Sequence, residues 1–346
     1  MLIHRYIIIF VLTINISWGQ TTFQGMNPNI GVIGDFSYQI HSNDVDLDRG
    51  FQFSEVEISF RMVLDPYARA DFFIAIVPPE EAVELEEGFI TLLSLPYSFQ
   101  ARVGHFRPSF GKFNLTHPPE TRLATLPLFL GNFFGEEGLA ATGVSLSALI
   151  PNPWNLYIEW NIDILNGEEL ASFRDNAPED FLYLLHLKNF FDVSENHSIE
   201  FGLSTMMTQS DASGHETRLY GADFIYRWKP LISGRYRSFT LQSETIISRK
   251  EVENQNINSF GWFLFLQHQF SKRWFVGSSY DYSGLPTSGD DVERRISAIL
   301  SFWPSEFQTI KLQLQKSERN FSTPRSFISI YFQWTFIIGA HGAHKF

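Results

Sequence analysis

Large apolar residues occupy every even position from Ile328 to Ile338, and Ser329, Tyr331, Gln333 and Thr335 fill the odd positions between them. A period of two describes a β-strand with one oily face and one wet face. The same alternation recurs along the chain in sixteen segments of about ten residues. They run Ile30 to His41, Phe53 to Leu64, Tyr67 to Ile76, Val83 to Leu95, Tyr97 to Phe106, Leu139 to Ile150, Leu156 to Ile164 and Asp180 to Phe190. They continue with Ser198 to Thr208, Thr217 to Lys229, Arg235 to Arg249, Asn258 to Phe270, Trp274 to Ser283, Arg294 to Trp303, Phe307 to Lys316 and the terminal strand. The clearest sets Leu156, Ile158, Trp160, Ile162 and Ile164 against Tyr157, Glu159, Asn161 and Asp163.

Connection lengths follow the parity of the count. Links after even-numbered strands are tight, as in Asp65-Pro66, Leu95-Pro96, Pro151-Asn152-Pro153, Ser271-Lys272-Arg273 and Pro304-Ser305. Links after odd-numbered strands are longer and polar: Ser42 to Gly50, Asn166 to Glu179, Lys250 to Ile257, Gly284 to Val292 and Ser317 to Pro324. Tight periplasmic turns, longer outer loops and an even strand number describe an outer-membrane barrel. The expected fold is all-β: one antiparallel transmembrane β-barrel of about 16 strands. Strand sixteen must then pair with strand one, because closure alone removes both open edges. At this width an aqueous channel remains inside.

The N-terminus fits that destination. Ile7 to Ile16 is an apolar run too short to span a bilayer, and Ser17-Trp18-Gly19 offers small residues for cleavage. Residues 1–19 are therefore expected to be a signal peptide and residues 20–346 a single barrel domain. With no Cys in the chain, neither a lipid-modified N-terminus nor a disulfide framework is possible. Aromatic residues make up 16% of the chain, with 35 Phe, a load that suits aromatic girdles at both lipid–water interfaces. The formal net charge of −12 argues against a nucleic-acid partner and for a lumen that favours cations.

Charges fall on the inward parity, which spares them the cost of facing lipid, about 2–4 kcal/mol for a basic residue at mid-depth. The expected lumen wall includes Glu55, Glu57, Arg61, Arg69, Asp71, Glu84, Glu86, Arg102, Glu159 and Asp163, with Glu200, Asp223, Arg227, Glu244 and Lys311 further on. One connection breaks the rhythm, Arg107 to Gly138, and it carries Leu126, Leu128, Phe129 and Phe133. So apolar a loop is expected to fold into the lumen, making Lys112, His117, Glu120 and Arg122 candidate constriction residues.

No Gly-x-Ser-x-Gly elbow, His-Glu-x-x-His pair or phosphate-binding Gly-rich loop occurs, so no enzyme and no cofactor is expected. His341 and His344 form a weak candidate metal pair near the C-terminus, with too few ligands for a structural site.

The stretch Gly104-His-Phe-Arg-Pro-Ser-Phe-Gly-Lys-Phe-Asn114 resembles a segment of phosphate-selective porins of the O and P type. That resemblance implies sixteen strands, inward-folded loops and anion selectivity from Arg and Lys ladders, whereas the inward parity here is acidic on balance. Asn27 to Phe36 and the tail Gly339 to Phe346 resemble outer-membrane proteins labelled zinc-regulated, TonB-dependent receptors. Yet residues 20 to 30 leave no room for the plug of a 22-stranded transporter. The terminal Phe346 resembles the signal read by the barrel assembly machinery. The reading is a porin-like channel of the bacterial outer membrane for small hydrophilic solutes or ions, with a zinc-linked uptake protein as the alternative. Outer-membrane lipid and the assembly machinery are the expected partners, and a homo-trimer is a candidate assembly.

Overall fold

The computed structural model describes residues 28–339 except 44–46, 79–81, 118–119, 136, 168–171, 173–180, 210–214, 233, 235 and 253–254. The predicted signal peptide and the tail residues His341, His344 and Phe346 lie outside the described residues. Sixteen antiparallel strands follow one another in chain order and close into a barrel. They are β1 (Asn29–His41), β2 (Gly50–Asp65), β3 (Ala68–Val77), β4 (Ala82–Leu92), β5 (Gln100–Phe106), β6 (Ala141–Leu149), β7 (Tyr157–Asn166) and β8 (Phe181–Ser194). The rest are β9 (His197–Gln209), β10 (Glu216–Trp228), β11 (Ser238–Val252), β12 (Gln255–Ser271), β13 (Trp274–Leu285), β14 (Ser288–Ser305), β15 (Gln308–Arg319) and β16 (Ser326–Gly339).

β16 pairs with β15 on one side and with β1 on the other, in a register from Gly31 opposite Gly339 to His41 opposite Ser329. Alternation along β16 separates two environments. Ile328, Ile330, Trp334 and Ile338 lie on the outside, 41–64% exposed, whereas Ser329, Gln333 and Thr335 are at most 6% exposed. The closing seam is polar on its inner side: Gln333 Nε2 and Thr335 Oγ1 donate to the Asp35 carboxylate at 2.9 and 3.0 Å. Aromatic and aliphatic residues of the other strands continue the outer apolar face, which only lipid can cover without cost.

Three expectations about the strands need correction. The links after β11 and β13 are not the long loops Lys250 to Ile257 and Gly284 to Val292. Val252 pairs with Gln255, and Leu285 pairs with Ser288, so both hairpins turn within two residues. Conversely, a long link follows an even-numbered strand, between Trp228 and Ser238. Polarity marks where a strand leaves lipid, while backbone pairing continues beyond that level. The fourth strand ends at Leu92 rather than Leu95, and the fifth begins at Gln100 rather than Tyr97.

The third correction concerns parity. Phe73 pairs with Glu87 but Ile74 pairs with Leu85, so Glu86 is an extra residue, a β-bulge. Glu84 and Glu86 lie on the less exposed side of β4, but after the bulge the buried positions become Glu87, Phe89 and Thr91. Glu86 and Glu87 are therefore buried side by side.

Inside the barrel lies a core that the wall alone does not supply. The connection between β5 and β6 turns inward and carries a short helix, α1 (Leu128–Phe134). Phe110, Phe113, Leu123, Phe129, Leu130, Phe133 and Phe134 of this connection are buried against Phe263, Phe265 and Ile246 of the wall. Their burial explains why so apolar a loop sits in a polar lumen: it brings its own partners for the few apolar inward positions.

Candidate functional site

The loop leaves β5 at Arg107 and is held at its base by Asn114. The Asn114 amide donates to the carbonyls of Pro108 and Leu139 at 3.0 and 2.9 Å, and its oxygen accepts from the Leu139 N–H at 2.7 Å. This one side chain joins the outgoing and returning limbs. From there the backbone is tied to wall side chains around most of the barrel. Gly111 N–H donates to Ser204 Oγ at 3.1 Å, and Phe113 N–H donates to Glu244 Oε1 at 2.8 Å. Ala124 N–H donates to Gln313 Oε1 and Leu128 N–H to Asp281 Oδ1, each at 2.9 Å. The Leu126 carbonyl accepts from Arg295, and the Thr121 and Leu123 carbonyls accept from Lys311. Hydrogen bonds that involve a charged partner contribute about 1.5–3 kcal/mol each, so this set fixes the loop as firmly as its apolar contacts do.

Two charge groups flank the loop. On the β8–β10 side, Glu200 receives Lys112 at 3.2 Å, Lys188 at 3.5 Å and Arg227 at 3.3 Å. Burial pulls the Lys112 ammonium below its usual pKa even though Glu200 opposes that shift. Arg122 is half-buried, and desolvation together with the charge of Arg227 pushes its guanidinium down to about 10. On the β2–β4 side, His117 meets Glu57, Glu86 and Glu87 at 3.4, 3.1 and 3.6 Å. Burial disfavours charge on this imidazole, but the close carboxylates of Glu57 and Glu86 and the charge of Glu87 outweigh it and raise its pKa well above the ordinary value. The Phe73 ring stacks on His117 with 4.6 Å between centroids. Glu120 acts electrostatically on Lys311, which holds the loop carbonyls nearby.

The other expected wall residues are distributed around these groups. Glu55 lines the space left between loop and wall. Arg61 and Arg69 both bind the fully buried Asp71, at 2.5 and 2.7 Å. Glu84 is half-buried on β4. Arg102 lies over the rings of Phe89 and Phe106, 4.8 and 5.2 Å from their centroids. Glu159 accepts from the Tyr157 hydroxyl and stands opposite Lys188, and the buried Asp163 stands opposite Ser145. Five charged participants escape the sequence reading: Glu87, Arg107, Lys188, Asp281 and Arg295. Arg107 donates from its backbone to Glu87 at 3.3 Å and from Nη2 to Glu86 at 3.4 Å, while Arg295 reaches Asp281 at 3.5 Å. The doubled acid Glu86-Glu87 was the available signal, because two like residues in a row break a period of two.

Between the loop and β1, β2 and β16 there remains a cavity of about 520 Å³. Its wall side carries Asp35, Ser37, Gln39 and Glu55, and its loop side Thr121, Thr125 and Asn132. Polar groups face each other across it, and the acids lining it are Asp35 and Glu55.

No family model matches the chain. A protein of Aquifex aeolicus (strain VF5) described as uncharacterized is 29% identical in a match covering 86% of this chain and 70% of that one. Among solved structures, an anion-selective porin from Comamonas acidovorans superposes with a TM-score of 0.64 at 11% identity, over 91% of this chain and all of that one. The outer membrane channel DcaP of Acinetobacter baumannii gives 0.59 at 9% identity, over 90% of this chain and 97% of that one. OmpT of Vibrio cholerae in a trimer form gives 0.55 at 7% identity, over 90% and 99%. At such identities the likeness concerns architecture: the chain has the fold of outer-membrane porins.

Proposed function

We propose that this protein is an outer-membrane channel through which small hydrophilic solutes diffuse passively, with a preference for cations. The observation that carries this reading is the inward loop, tied to the wall from β4 to β15, which leaves a polar cavity beside Asp35 and Glu55 inside the closed barrel. A unit charge about 4 Å from a permeating ion contributes about 1 kcal/mol in bulk water and more at a lower effective dielectric. About 1.4 kcal/mol separates K⁺ from Cl⁻ tenfold, so one or two ionised acids along the route of the ion suffice for selectivity. The purified protein in planar bilayers should form channels, with a reversal potential in a KCl gradient that reports K⁺ over Cl⁻. Absence of channels, or a reversal potential of the opposite sign, overturns the reading.

A phosphate-selective channel is the second reading, favoured by Lys112, Lys188, Arg227 and Arg122 on one side of the lumen. Glu200 lies within 3.5 Å of three of them and offsets their charge toward a passing anion. The same bilayers distinguish the two, since that reading requires phosphate to compete with Cl⁻. The zinc-linked uptake alternative rests on the resemblance of Asn27 to Phe36 and of the tail, with His341 and His344 as its candidate metal pair. The homo-trimer borrows only the assembly named for the Vibrio cholerae structure.

A further inference from the structure

His117 enters the lumen on the loop and ends among carboxylates from two strands. Its Nδ1 lies 3.1 Å from Glu86 Oε2 and 3.4 Å from Glu57 Oε2, while Nε2 lies 3.6 Å from Glu87 Oε1. One ligand atom from each of Glu57, Glu86 and His117 falls within 4.8 Å of the others, and all three residues are buried. Nδ1 can carry only one proton. It therefore satisfies one carboxylate, and the shorter approach and the hydrogen bond belong to Glu86. Glu57 Oε2, on a side chain 2% exposed, accepts no hydrogen bond although it points at the same nitrogen.

The charge balance leaves the same gap. Four acidic groups, Glu55, Glu57, Glu86 and Glu87, face three basic ones, Arg102, Arg107 and His117, so acids outnumber bases even with the imidazole counted as a base. A cation at the position of the Nδ1 proton would bond both carboxylates at once. The spacings of 3.1 and 3.4 Å are close to the edge, about 3.3 Å, of a tetrahedron with bonds of about 2.0 Å, the length of zinc bonds to His nitrogen and carboxylate oxygen. On the far side of the ring, Glu87 lies 3.6 Å from Nε2 and Phe73 stacks on the imidazole, both limiting its orientation. One nitrogen and two oxygens favour a borderline transition-metal ion over Ca²⁺ or Mg²⁺, which demand more oxygen ligands.

We propose that Glu57, Glu86 and His117 bind a divalent transition-metal cation of the zinc class, which ties the loop to β2 and β4 inside the barrel. A fourth position is left for water. Metal binding here does not depend on conduction, so a protein that forms no channel leaves the test intact.

The test uses the full chain in detergent, stripped with chelator and titrated with ZnCl₂ and separately with MgCl₂, by calorimetry and elemental analysis. Wild type should bind one zinc per chain. The variant Glu57→Gln/Glu86→Gln and the loop variant His117→Ala should each bind at least tenfold more weakly, and His341→Ala/His344→Ala should bind as wild type does. Heat-modifiable migration on gels reports barrel folding, and His117→Ala alters no strand, so one interpretable variant is assured. No stoichiometric zinc, unchanged binding in the first two variants, loss in the tail variant instead, or equal affinity for Mg²⁺ would each overturn the proposal.

Discussion

Replacing Phe129 and Phe133 together by Ala is expected to free α1 from the wall and raise the conductance of the channel. Phe133 is fully buried and Phe129 is 2% exposed; both lie over Gly261 of β12, and the Phe129 ring also meets Phe263. Holding the seven residues of α1 in place costs roughly 7–14 kcal/mol of backbone entropy, at about 1–2 per residue. Burial of Phe129, Leu130, Phe133 and Phe134 returns about 1.5–3 kcal/mol each. The bonds from Leu128 N–H to Asp281 and from Arg295 to Leu126 each add about 1.5–3. The balance favours docking by only a few kcal/mol. A Phe→Ala change at such a site costs about 3–5 kcal/mol, so two exceed the margin even when not additive. Single-channel recording should show a larger or noisier conductance, and trypsin should gain access to Arg122. Barrel melting should hardly change, because no ladder hydrogen bond is touched. Unchanged conductance together with a protected Arg122 would refute the reasoning. Gly261→Val offers a milder version, since a Cβ there would meet Phe129 Cβ at 2.7 Å, and overpacking costs about 1–3 kcal/mol.

Two further predictions concern the wall. Glu200→Gln leaves Lys112, Lys188 and Arg227 without their shared anion; a broken buried pair costs about 3–5 kcal/mol, and the reversal potential should move toward anions while Lys112 becomes cleavable by trypsin. Gly104→Ala should weaken the β4–β5 seam, because φ is +140° and a Cβ would lie 2.3 Å from the Gly88 carbonyl oxygen; heat-modifiable migration should shift to lower temperature.

Strand parity is a local property, and it was therefore legible. Each alternating segment states by itself which side faces lipid, so sixteen strands, the closure of β16 on β1 and the inward placement of Glu57, Asp71, Asp163 and Glu200 follow from residue types two apart. The apolar content of residues 107–138 likewise announced a loop that would not remain in water. The tertiary structure decided what meets what. Glu87 turns inward only because Glu86 bulges out of the ladder, and a bulge is fixed by the pairing of two strands rather than by one. Arg107, Asp281 and Arg295 acquire roles from a loop that reaches them across the lumen, over sequence separations that no local pattern encodes. His117 lies far along the chain from Glu57, and only closure of the barrel around the loop sets that imidazole against those carboxylates. Alternation is dictated by the pleat of a single strand, whereas the site depends on register and curvature, which belong to the closed sheet as a whole.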